Sequence, residues 1–232
     1  MNSIQSHPWP NDAEAAAKIQ NQLRSQVIKT DQFSEIKTVA GVDVGFEDDY
    51  AITRAAVVVL SYPGLLLLDS AIARKPTTFP YIPGFLSFRE VPAILEAIEQ
   101  LKTLPDLFMC DGQGYAHPRR FGIGCHLGVL LDLPTLGVAK SILVGKHAEL
   151  PQTKGSWQPL IHREEVVGAA LRSREKVKPI YISLGHKISL ETSIQIVTNC
   201  LTRYKLPETT RQADKLASRK PGAPDLLNLP LF

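Results

Sequence analysis

An α/β fold, with a central mixed sheet flanked by helices, follows from three features of the sequence. A Val-rich segment, "IKTVAGVDVGF", is followed by two apolar runs, "ITRAAVVVL" and "LLLLDSAIAR", joined by the turn "SYPG". Together they predict a three-stranded antiparallel meander. Helix-like and strand-like segments then alternate, which adds parallel strands to such a sheet. Finally, the 232 residues show no internal repeat and no linker, and with 44% hydrophobic and 21% charged residues they suit one buried core. The expected organisation is one domain, residues 1–219, and a Pro-rich tail, residues 220–232.

The elements follow in order. Residues 11–30 are rich in Ala, Gln, Lys and Glu and read as a helix capped by Asn11 or Asp12. After the meander comes "TFPYIPGFLSFRE", Thr78 to Glu90, an aromatic loop without helical or strand period that hands over to a helix opened by Glu90. Ile94, Leu95, Ile98 and Leu101 carry that helix, with Pro92 in its first turn, where a missing N–H costs little. "DLFMCDG" reads as a strand, "FGIGCHLGVLLDL" as a helix and "PTLGVAK" as another strand, and "EVVGAALR" and "KPIYISLGH" as a further strand pair. In "SLETSIQIVTNCLTRY", Ser189 caps a helix whose Leu190, Ile194, Val197 and Leu201 share one face. "LPETTRQADKLASRK" is a last helix, opening near Pro207.

Bulk properties exclude several classes. Twenty-six basic against 23 acidic residues, a formal charge of +3, permit nucleic-acid binding without requiring it. Cys110, Cys125 and Cys200 are odd in number and form no CxxC pair, which argues against a disulfide framework and against zinc. The N-terminus lacks a signal pattern, and the run "AAVVVLSYPGLLLL" is broken by Tyr62-Pro63-Gly64, so a cytoplasmic protein with no membrane partner is expected.

Two aspartates interrupt apolar strands: Asp43 within "VAGVDVGF" and Asp111 at the end of "LFMCD". A buried carboxylate is costly unless it is paired or bound to a cation, although each alone also fits a strand-end turn. Glu90 alone fits a helix dipole, and Asp214 in the last helix fits a solvated surface. As an ordered set, these four acids resemble those of ribonuclease H-like nucleases, which hold magnesium through oxygen ligands. "GVDVGF" also resembles the phosphate hairpin of actin-like and sugar-kinase ATPases, but the second glycine hairpin those proteins need is missing from the sequence.

After Asp111 runs "GQGYAHPRRFGIGCHLG", and "LGVAKS" places Lys140 at a strand end. With "HPWP", "GVDVGF", "PYIPGFLSFRE", "GHKISLETS" and "LPETTRQAD", these segments resemble the endonuclease V family over nearly the whole chain. The resemblance implies a ribonuclease H-like fold and a magnesium-dependent (or manganese-dependent) DNA repair endonuclease. Such an enzyme flips out a deaminated base, mainly hypoxanthine, and hydrolyses the second phosphodiester bond 3′ to it, leaving a 3′-hydroxyl and a 5′-phosphate. Position by position, it implies that Asp43 and Asp111 are metal ligands, that Glu90 and Asp214 are outer or second-metal acids, and that Lys140 is the lysine near the attacked phosphate. His117 and Arg119 become DNA-backbone contacts, Tyr81 a wedge, and Gly84, Leu86, Gly112, Gly122 and Ile123 the base pocket.

The sequence departs from the family pattern at three places: Asp214 stands where some relatives carry His, Ile142 where a basic residue is common, and Leu184 where Pro is frequent. "NLPLF", Asn228 to Phe232, resembles the peptide by which bacterial repair proteins hook the sliding clamp; an apolar tail folded on its own domain is the alternative. Other readings left open are a structure-specific resolvase of the same fold, a catalytically silent nucleic-acid binder, and a preference for inosine-containing RNA over DNA.

Overall fold

A β-branched run with one small residue at each close approach forms the centre of the sheet. The computed structural model describes residues 7–218; the expected tail and its clamp-like peptide, Asn228–Phe232, lie outside the described residues. Strand β1 (Thr38–Glu47) pairs antiparallel with β2 (Ile52–Ser61), and β2 with β3 (Leu67–Pro76), which is the meander expected from the sequence. Strands β4 (Leu107–Asp111) and β5 (Thr135–Ala139) add in parallel on the other side of β1. Beyond them, β6 (Trp157–His162), β7 (Glu165–Leu171) and β8 (Ile180–His186) complete an eight-stranded sheet ordered β3-β2-β1-β4-β5-β8-β7-β6.

Alternation along each strand assigns the two faces. Val39, Leu107 and Met109 enter a core with α4 (Leu190–Asn199) and α5 (Glu208–Ala217). Ala40, Val42, Phe108 and Cys110 enter the opposite core with α2 (Leu86–Glu99) and α3 (Ile123–Leu131). The next residues in each strand, Asp43 and Asp111, therefore turn to the α5 side. The register pairs Val42 with Cys110 across the parallel strands, so Asp43, within β1, stands level with Asp111 at the carboxyl end of β4.

Helix α5 approaches β1 closely at Gly41, where an added Cβ would lie 2.0 Å from the Thr209 carbonyl oxygen. The buried Arg54 guanidinium holds the helix's other end, donating to the Leu216 carbonyl at 2.7 Å and to Glu47 at 2.8 Å. Helix α1 (Ala13–Leu23) lies at the edge, capped by Asp12 through the Ala15 N–H.

The sequence expectations need four adjustments. Helix α1 stops at Leu23 and passes into a 3-10 turn at Arg24–Gln26, short of residue 30. Helix α2 starts at Leu86, so Glu90 and Pro92 lie inside it and not in its first turn. The early start comes from Phe85 and Phe88, which pack on Phe79 and pull the chain into a turn before the periodic residues begin. Helix α4 ends at Asn199, before the expected Tyr204. Strand β6 was not expected: it is a half-exposed edge strand containing Pro159, which only an edge tolerates.

Gly41→Ala should push α5 off β1 and lower stability by about 1–3 kcal/mol, the usual cost of overpacking. Urea denaturation would measure it, and a loss below about 0.5 kcal/mol, the range of neutral surface substitutions, would mean that α5 slides without penalty.

Candidate active site

Four carboxylates and one ammonium gather around the middle of β1 and the carboxyl ends of β4 and β5. Asp43 comes from within β1 and Asp111 from the end of β4, Glu90 rises from α2 on the far face, and Asp214 comes from α5. Burial, then the charges of Asp111 and Asp214, push the Asp43 carboxyl up to about 7, against the pull of the Lys140 ammonium. Glu90 is buried, and burial together with Asp43 and Asp111 drives its pKa well above the usual carboxylate range. Lys140, just past β5, donates to Asp111 at 2.5 Å and stands 3.9 Å from Asp214. Burial opposes its charge, but these carboxylates outweigh burial and raise its pKa.

Among the described residues no three His, Cys, Asp or Glu side chains close into a ready-made metal cage. The donor set nevertheless suits a hard dication: all its ligand atoms are carboxylate oxygens, and they repel one another with a single lysine between them. A hard cation that keeps part of its water shell needs only one or two carboxylates from the protein.

Beside the acids opens a cavity of about 370 Å³. Gly84, Leu86, Gly112, Gly122 and Ile123, the residues expected around a base, all line it. So do Asp111 and Lys140, so cavity and acid cluster share a wall. Tyr81 stands on its rim with 73% of its surface exposed, whereas Phe79, Phe85 and Phe88 of the same stretch are buried together. The aromatic loop therefore has an apolar root and one free ring.

His117 and Arg119 are occupied within the protein. The Arg119 backbone N–H donates to His117 Nδ1 at 3.2 Å, so Nε2 carries the ring proton and donates to the Gly84 carbonyl at 3.0 Å. Burial, with the Arg119 charge second, lowers His117 to about 4, leaving it neutral near pH 7. Arg119 donates to the same carbonyl at 2.8 Å and lies over the Phe85 ring, 4.1 Å from its centroid. Both residues thus hold the loop at Gly84, whose φ of +82° suits glycine. Arg120, another donor in this run, is spent on Glu165 at 2.8 Å.

The family model for endonuclease V matches residues 21–215. The chain belongs to the endonuclease V family. It is 61% identical over 221 residues to the endonuclease V of Trichormus variabilis, an alignment covering 95% of this chain and all of that one. The endonuclease V structure from Streptomyces avermitilis superposes with a TM-score of 0.85 at 41% identity, covering 90% of this chain and 92% of that one. The endonuclease V of Ciona intestinalis, solved in complex with a 23mer DNA containing an inosine followed by a ribo-adenosine, matches with a TM-score of 0.78 at 32% identity, covering 88% and 94%. The fold is accordingly ribonuclease H-like, and the protein is a nuclease; members of the family use a divalent metal. No described helix is long and apolar enough to cross a membrane.

Among the cavity residues that escaped the sequence reading are two glutamines. Gln20 of α1 and Gln113 of the "DGQGYAHPRR" run both reach the wall, Gln113 donating to the Ser141 carbonyl at 2.8 Å. A glutamine in a helix or a loop gives no signal of burial. A third connection runs from Ser87 to His126 (2.9 Å) and on to His7 (2.7 Å), tying the "HPWP" segment to the cavity's outer side.

The acid cluster implies a stability effect without metal. Asp43 titrates higher in the folded protein than its ordinary 3.8, so its cost is absent below that pH, grows as pH rises and is complete above about 7. In chelator at pH 8, Asp43→Asn should therefore raise Tm, by about 2–4 °C for each kcal/mol of repulsion relieved. The gain should fade towards pH 4, and a divalent cation such as Mg2+ should raise the Tm of the wild type but not of the variant. An unchanged Tm in chelator, with full Mg2+ stabilisation retained, would remove Asp43 from the metal site.

Proposed function

We propose that this protein repairs DNA containing deaminated bases, mainly hypoxanthine, by hydrolysing the second phosphodiester bond 3′ to the lesion. The products would be a 3′-hydroxyl and a 5′-phosphate. The observation that carries this reading is the shared wall: Asp111 and Lys140 line the same cavity as Gly84 and Ile123. A base lodged in that cavity keeps its own strand beside the acids, and the bond to be cut lies within the next nucleotides.

The residues divide the work. Tyr81, exposed on a loop stiffened by Pro80 and Pro83, fills the gap left by the extruded base and slows its return. Glycine-rich backbone at Gly84, Gly112 and Gly122 lets main-chain groups approach the base edge. A base whose polar edge leaves those groups unpaired is rejected by the cost of an unmade hydrogen bond. Asp43 and Asp111 would hold Mg2+, or Mn2+ in its place, with Glu90 and Asp214 binding its water ligands or a second ion. The metal, when bound, supplies Lewis-acid charge and lowers the pKa of attacking water. Lys140, beside Asp111 at the end of β5, would donate to the scissile phosphate.

His117 and Arg119 act in this reading by fixing the loop, with any phosphate contact coming from the outer side of the Arg119 guanidinium. The same cavity accommodates inosine in RNA, and a sliding-clamp contact through Asn228–Phe232 completes the set of partners proposed from the sequence. A resolvase has no use for a base-sized cavity beside its acids, and a silent binder has no use for the acids.

The deciding experiment is strand nicking of a hypoxanthine-containing duplex, with and without Mg2+, mapped to the nucleotide. Cutting is expected at the second 3′ phosphodiester, only with metal and lesion together; preference for branched, undamaged DNA would favour the resolvase. Asp43→Ala should reduce cleavage by at least about 10³-fold, comparable to losing a principal electrostatic group, with lesion binding retained. Full activity in that variant would end the metal assignment. Tyr81→Ala should weaken lesion-duplex binding by about tenfold, one buried aromatic contact's worth, and undamaged-duplex binding far less. Equal losses on both would reduce Tyr81 to a packing residue.

A further inference from the structure

Gln20 belongs to α1, one residue ahead of the family match, and no role attaches to it from the sequence. It is 1% exposed and every polar group of its side chain is engaged. Its Nε2 donates to the Gly84 carbonyl and to the Phe121 carbonyl, both at 3.1 Å, and its Oε1 accepts from Arg119 Nε. One side chain therefore links three segments: α1, the aromatic loop, and the glycine-rich run after Asp111.

The meeting point is the Gly84 carbonyl. It receives Gln20 Nε2, His117 Nε2 at 3.0 Å and Arg119 Nη2 at 2.8 Å. Few carbonyls collect three donors, and this one lies in the wall of the base cavity and close along the chain to Tyr81. Pro80 and Pro83 restrict the backbone between them, and the Phe85 N–H donates to the Ile82 carbonyl at 3.1 Å. With so little freedom left in that stretch, fixing the Gly84 peptide also fixes the base of Tyr81. His117 and Arg119 reach the carbonyl from the same run that lines the cavity. Among the described residues only Gln20 reaches it from another part of the chain, and Gln20 also orients the Arg119 guanidinium.

We propose that Gln20 is a positioning residue for lesion recognition: it locks the Gly84 carbonyl and so holds Tyr81 at the height over the cavity that base extrusion requires. The proposal rests on the reading of Tyr81 as the wedge. Because the lock acts on recognition and not on the acid cluster, its loss should raise KM and leave kcat nearly intact.

Gln20→Glu tests this with little change of volume. The carboxylate still accepts from Arg119, but it offers no donor and faces the Gly84 oxygen with like polarity. On a hypoxanthine duplex KM should rise about tenfold, the effect of one hydrogen bond lost and one acceptor left opposed, with kcat within about twofold. On a Tyr81→Ala background the same change should add less than about twofold, since both act through one device. A wild-type KM in folded Gln20→Glu, or effects that multiply in the double variant, would overturn the proposal whatever happens to Tm. A wild-type KM for Tyr81→Ala would instead remove the wedge, and the lever with it. Should the carboxylate prevent folding, Gln20→Met, which also lacks the donor, is held to the same outcomes.

Discussion

The parallel pairing of β1 with β4 is the constraint on which the rest of the structure depends. Its register sets Val42 against Cys110, and the following residue in each strand is an aspartate turned towards α5. Two carboxylates side by side on neighbouring central strands resist desolvation and repel each other, which is why the Asp43 carboxyl is pushed up to about 7. A sheet built for stability alone would place apolar residues or turn-bonding groups there. This one carries the repulsion, adds a buried Glu90 beneath it, and sets Lys140 against Asp111. The surrounding packing keeps that arrangement from relaxing: Gly41 brings α5 close enough for Asp214 to join, and Arg54 secures the helix end.

A second part of the molecule is tuned to the first. The loop from Thr78 to Phe85 is anchored by three phenylalanines, packed with Ala16 of α1, and by a carbonyl with three donors. Its continuation is α2, the helix that carries Glu90. Tyr81 and Glu90 thus lie on one short, stiff piece of chain, one facing solvent and the other buried among the acids.

Much of the sheet was legible before the structure was known. The Val-rich and apolar runs, the turn "SYPG" and the Asp-Gly strand end depend on neighbours in sequence, and they appear where local chemistry puts them. The start of α2 was misplaced because Phe85 and Phe88 enter the helix through tertiary contact with Phe79 and not through periodicity. Edge strand β6 was missed because half of it is exposed and it contains Pro159, so its pattern is blurred. Asp43, Asp111 and Lys140 were readable as chemistry because a charged group at the end of an apolar strand is conspicuous. Gln20 was not, because an uncharged polar residue in a helix looks the same whether solvated or buried.

By itself, the sequence determined the family, the order of the strands in the meander and the identity of the acids, all of which reside in local pattern and in the types of residue present. Only the tertiary structure decided what those residues face. It turned His117 and Arg119 inward to the Gly84 carbonyl, lowered His117 to about 4 by burial, and left Tyr81 outside while its three aromatic neighbours went in. Those outcomes depend on desolvation and on contacts between segments far apart in the chain, such as Gln20 with Phe121, and a one-dimensional pattern carries no record of either.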